Sequence, residues 1–180
     1  MSLSGGVRRF GLTAHVALSV GWLGAVAGFL VLALSGLTNP DPQVVRAVYV
    51  SMELLGWCLI VPLSLGSLLS GVIQGLGTPW GLLRHYWVLI KLLITPLATL
   101  ILLVHMQPIR EVAEVARQTL MSQSDLNQLR VQIVVDAAAG AFVLLVATTL
   151  SVYKPRGMTA HGRRGTIARA PSSHSIGAER

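Results

Sequence analysis

The chain has 180 residues, 53% of them hydrophobic and only 12% charged, with a formal charge of +7. Its apolar residues fall in long blocks, which excludes an ordinary soluble domain, and its basic residues flank those blocks, which makes them markers of membrane orientation rather than a nucleic-acid footprint. The single cysteine, Cys58, excludes an internal disulfide, a Cys-x-x-Cys pair and a cysteine-based zinc site.

A helix needs about 20 mostly apolar residues to cross about 30 Å of hydrocarbon. The first segment of that kind, residues 10–37, contains no Asp, Glu, Lys or Arg. Arg8-Arg9 before it and Ala25-Val26-Ala27 within it have the parts of an export signal. The apolar run continues to Leu37, however, beyond the roughly 7 to 15 residues of a signal core, so it is read as a retained span. Thr38-Asn39-Pro40-Asp41-Pro42 is a proline-punctuated turn. The second span, 48–73, is interrupted only by Glu53. A second connection follows at Gln74-Gly75-Leu76-Gly77-Thr78-Pro79-Trp80-Gly81, with Trp80, Tyr86 and Trp87 suited to the lipid–water interface.

The third span, 82–106, carries Arg84 and His85 at its start and Lys91 within. From Pro108, Ile109, Val112, Ala113, Ala116 and Leu120 recur at helical spacing, with Arg110, Glu111, Glu114 and Arg117 on the other face, which predicts a short outer amphipathic helix. Ser122 and Asp125 have capping-box spacing ahead of the fourth span, 129–153, which holds Asp136 and ends at Lys154-Pro155-Arg156-Gly157. Residues 154–180, rich in Gly, Ser, Ala, Pro and Arg, lack the apolar side chains that would offset the entropy of ordering and are expected to be disordered. The fold class is all-α: a four-helix transmembrane bundle with a short outer amphipathic helix and a disordered basic C-terminal tail.

Arg8, Arg9, Arg84, Lys154, Arg156, Arg163, Arg164, Arg169 and Arg180 fall on one side, with Glu179 as their only acid. The opposite connections balance Arg46, Arg110, Arg117 and Arg130 against Asp41, Glu111, Glu114 and Asp125. The positive-inside rule therefore puts residues 1–9 and the tail in the cytoplasm.

Ionisable residues at membrane depth cost about 2.5–3.5 kcal/mol each on insertion scales and face a protein interior or a wet cavity. Glu53, Lys91 and Asp136 are expected to form such an intramembrane cluster: either Lys91 pairs with Glu53 or Asp136 and the other acid is neutral, hydrogen-bonded or near water, or all three line a polar path for protons, ions or a small solute. His15 and His85, on the first and third helices near the cytoplasmic face, are the candidate axial ligands of a b-type haem. His105 with Glu53 and Asp136 is the candidate set for a divalent metal. His161 and His174 lie in the tail and are read as solvated. Gly21, Gly24 and Gly28 on the first helix, and Ser67 with Gly71 on the second, permit close helix approach within the chain or between copies. Pro62 and Pro96 each remove a backbone donor inside a span and are expected to kink it. No hydrolase elbow, phosphate loop or zincin motif is present, so nothing supports an enzyme.

The run His85-Tyr86-Trp87-Val88-Leu89-Ile90-Lys91-Leu92, with Gly21-Trp22-Leu23-Gly24 and Ser151-Val152-Tyr153-Lys154-Pro155-Arg156-Gly157, resembles a bacterial family of four-helix integral membrane proteins with no assigned activity. The resemblance covers about the first 157 residues and implies a bacterial cytoplasmic (inner) membrane. His15 followed by Trp22-x-Gly24 is also similar to membrane domains associated with copper resistance and b-type cytochromes. Together these readings favour a non-enzymatic small transporter or an accessory subunit of a membrane complex, with a haem-binding electron-transfer protein as the alternative. The expected partners are the lipid bilayer and either a second copy or a larger membrane complex, not nucleic acid.

Overall fold

The computed structural model describes residues 5–77, 86–118 and 126–153. Helix α1 runs Gly5–Thr38, α2 Pro42–Leu55, α3 Val61–Gly77, α4 Tyr86–Gln118 and α5 Asn127–Tyr153, with a π-helical turn, Gly56–Ile60, fusing α2 to α3. Four rods result, each long and apolar enough to span a membrane. The chain is therefore an all-α, four-helix, multi-pass membrane protein. Trp80, expected at the interface, Arg84 and His85, expected at the start of the third span, the expected Ser122–Asp125 capping box and residues 154–180 lie outside the described residues.

The connection after α1 is fixed by local chemistry. Asn39 N–H still reaches the Ser35 carbonyl at 2.9 Å, but Pro40 has no N–H and the α-helix ends. Asp41 then caps α2, its carboxylate accepting the Gln43 N–H at 2.8 Å, with Pro42 in the first helical position where no donor is needed. The π turn also follows from a proline. Pro62 cannot donate to Cys58, four residues back, and directly before it Val61 N–H bonds the Gly56 carbonyl five residues back.

The amphipathic stretch from Pro108 is not a separate surface helix. It forms the last turns of α4, which runs unbroken through Pro96 and Pro108. Met106, Ile109, Val112, Ala113 and Ala116 are buried, continuing the phase of the partly buried Ala98 and Leu102 above them, so one inward stripe outweighs the single hydrogen bond lost at Pro108.

Packing closes a ring. α1 lies against α5 and the α2–α3 rod, and α4 bridges that rod to α5. The deepest core, including Tyr49, Met52, Ile60, Met106 and Val112, sits in the half nearer the α1–α2 turn. Elsewhere apolar side chains point outward: only 11% of the most apolar window of α5 is buried, the inside-out distribution that fits membrane-spanning helices.

Candidate functional site

Polar side chains gather at three levels of the bundle. The first, near the α1–α2 turn, centres on Arg130, which is fully buried in the opening turn of α5. Its Nε donates to the Tyr49 hydroxyl at 3.1 Å, its guanidinium carbon stands 5.6 Å from the Tyr49 ring centroid, and its Nη2 donates to the Gly36 carbonyl. That carbonyl needs an outside donor because its partner in an α-helix, four residues on, would be the N–H that Pro40 lacks. Gly36 also lets α1 approach, since a Cβ there would lie 2.9 Å from Tyr49 Cζ. Gly36, Tyr49 and Arg130 thus clasp α1, α2 and α5.

On the flank of this clasp, Arg117 at the end of α4 pairs with Glu53 of α2 and reaches Glu114 at 3.3 Å, while Gln118 donates to Glu114 at 2.9 Å. Arg46 donates to the Arg117 carbonyl at 3.2 Å, serving the last turn of α4, whose carbonyls have no donors within the helix.

At the second level His105 of α4 meets Asp136 of α5, Nε2 to Oδ2 3.0 Å, while Nδ1 lies 2.8 Å from the Ile101 carbonyl. A carbonyl only accepts, so Nδ1–H donates to it and Nε2 is the atom turned to the carboxylate.

The third level lies in the half where α1 begins and α5 ends. His15 Nδ1 is 2.9 Å from Ser70 Oγ, Ser19 Oγ is 2.8 Å from Ser67 Oγ, and Gln74 donates to the Gly11 carbonyl at 2.9 Å. Lys91 donates to Ser151 Oγ at 2.6 Å and is close enough for its charge to act on His15. Gly71 makes room for the His15 ring, a Cβ there falling 3.1 Å from Cε1. The result is a polar seam contributed by α1, α3, α4 and α5.

The expected cluster of Glu53, Lys91 and Asp136 is therefore spread over the three levels. Along α4, Lys91 is 14 residues from His105 and 26 from Arg117, about 21 and about 39 Å at 1.5 Å per residue, so it reaches neither carboxylate. Of the expected metal set, His105 and Asp136 come together while Glu53 turns to Arg117, and among the described residues no three His, Cys, Asp or Glu side chains converge. Of the candidate haem ligands, His15 occupies the seam and His85 lies outside the described residues.

Among the described residues Gly24 and Gly28 pack against nothing, because a Cβ at either would meet no atom within 4 Å. The stripe on the second rod is internal: Ser67 and Gly71 face Ser19 and His15.

Arg130 was not among the residues expected to be buried, because its charge assigned it to an outer connection. Its position did carry the information, since Arg130, Ile133, Ala137 and Leu144 share one helical face and all are buried. Comparison with protein-family models, with curated proteins and with solved structures finds no match for the chain.

Proposed function

We propose that the protein is a non-enzymatic transporter of a small polar solute, and that the seam of His15, Ser19, Ser67, Ser70, Gln74, Lys91 and Ser151 is its binding region. One observation carries this reading. Four helices turn hydroxyl, amide and basic side chains toward each other along several turns of a bundle whose outer surface is apolar. A bundle needing only to hold together in lipid can do so with small residues and van der Waals packing. A lysine and a histidine add an insertion cost that selection retains where polar groups have work to do. The charge distribution favours both termini in the cytoplasm, with the seam toward that face, and the family resemblance favours a bacterial cytoplasmic membrane.

A second reading, an accessory subunit or self-associating protein, is favoured by the outward Gly24 and Gly28, which leave room for another helix to approach α1 closely. The two readings are compatible.

The transport reading is tested by stopped-flow light scattering on proteoliposomes challenged with glycerol or urea. At least one probe should cross faster than in protein-free liposomes, and Lys91→Met should return the rate toward the protein-free value. Equal rates with and without protein for both probes would remove the reading.

A further inference from the structure

The hydrogen bond between His15 and Ser70 has a direction, and the other contacts of Ser70 reveal it. A serine hydroxyl owns one hydrogen. Ser70 Oγ stands 2.6 Å from the Gly66 carbonyl and 3.1 Å from the Ser67 carbonyl, both of which only accept. Two oxygens 2.6 Å apart repel unless a hydrogen lies between them, so the hydroxyl hydrogen is committed to the backbone. Ser70 can then offer His15 only a lone pair, at 2.9 Å, and the hydrogen of that contact belongs to His15 Nδ1.

A neutral imidazole carrying its hydrogen on Nδ1 has its lone pair on Nε2. The His15 ring also hydrogen-bonds the Ser67 backbone, which accepts a ring hydrogen rather than giving one, so among the described residues no donor is placed on Nε2. The ring edge that carries this atom is accommodated by Gly71, where a Cβ would come within 3.1 Å of Cε1 and 3.9 Å of Nε2. Histidines whose second nitrogen must act in a defined way are commonly held by such a bond at the first.

Resting on the transport reading, we propose that Ser70 is a positioning residue that holds His15 in the Nδ1–H tautomer. Nε2 is then the acceptor atom that the seam presents to an N–H or O–H group of the solute. The solute class is thereby narrowed to small polar molecules with a hydrogen-bond donor.

Long-range proton–nitrogen NMR of histidine-labelled full-length protein in lipid nanodiscs, with the His15 signals assigned by their loss in His15→Gln, reads the tautomer directly. Wild-type protein should show a protonated Nδ1 and a bare Nε2. Ser70→Ala should lose that preference, and Ser70→Thr, whose hydroxyl can also bond the carbonyl four residues back, should restore it. A protonated Nε2 with bare Nδ1 in the wild type, or an unchanged tautomer in Ser70→Ala, overturns the proposal. Glycerol flux measured on the same samples separates the two layers. Flux in the wild type that is unaltered by both Ser70→Ala and His15→Gln refutes the acceptor role of Nε2. Absence of wild-type flux for glycerol and urea alike removes the transport reading, and the tautomer signal still decides what Ser70 does.

Discussion

At the scale of single residues, the costliest group in the bundle is also the best served. Arg130 reaches Tyr49 and Gly36, and one of those bonds repairs a carbonyl that a proline left without a donor. Arg130→Met keeps much of the side-chain volume but leaves the Gly36 carbonyl and the Tyr49 hydroxyl without this donor. A buried polar group deprived of its partner costs about 1–3 kcal/mol. Thermal or denaturant unfolding in detergent should show a loss of that order, and Arg130→Lys, which keeps the charge but not the fork, should fall between. Stability equal to wild type in Arg130→Met would show that the clasp contributes nothing. The sequence disclosed that this arginine stood at a helix start, but its charge argued for solvent. What buries it is the conjunction of Pro40, Gly36 and Tyr49 on other helices, which only the packing reveals.

At the scale of elements, the spans were legible because lipid imposes a composition that runs of Leu, Val, Ile, Ala and Gly meet and soluble helices do not. The partners of the charges were not legible, and the cause is one helix. Breaking the chain at Pro108 detaches Arg117 from the bundle and leaves Lys91 as the natural base for Glu53. With α4 unbroken, Arg117 arrives beside Glu53 at the far end of the rod from Lys91. The inward stripe Ala98, Leu102, Met106, Ile109, Ala113 and Ala116 was present in the sequence and predicts that continuity when its phase is followed across the proline.

Helix contacts at glycine allow a comparison at this same scale. A Cβ at Gly36 would meet ring atoms of Tyr49 at 2.9 and 3.0 Å and its hydroxyl at 3.1 Å, whereas one at Gly56 would meet the thioether end of Met106, Cε at 2.6 Å and Sδ at 2.9 Å. A ring held by Arg130 cannot swing aside, but an unbranched methionine can change rotamer. Gly36→Ala should therefore destabilise more than Gly56→Ala, although the latter has the shorter contact. Overpacking of this kind costs typically about 1–3 kcal/mol. Unfolding midpoints of the two variants decide the point, and the reverse order would contradict the clasp geometry.

At the scale of the whole molecule, the bundle divides into a tightly packed half, where charges are paired and the core is deepest, and a looser half that carries the seam. The candidate site was partly legible: His15 and Lys91 stood out as polar residues in apolar runs. Their companions Ser19, Ser67, Ser70, Gln74 and Ser151 did not, because serine in a membrane helix is equally at home in a packing face, and pairing across helices depends on a register that one sequence does not encode.

If the seam is the working site, a small water-borne reagent must reach it, and cysteine accessibility measures that most directly. In a Cys58→Ser background, Ser19→Cys and Gln74→Cys on the seam are compared with Gly28→Cys on the outward face of α1, using a small methanethiosulfonate in reconstituted vesicles. Both seam cysteines should react well ahead of Gly28→Cys. Seam cysteines that react no faster than the outward-facing one would show a sealed bundle and contradict the transport reading.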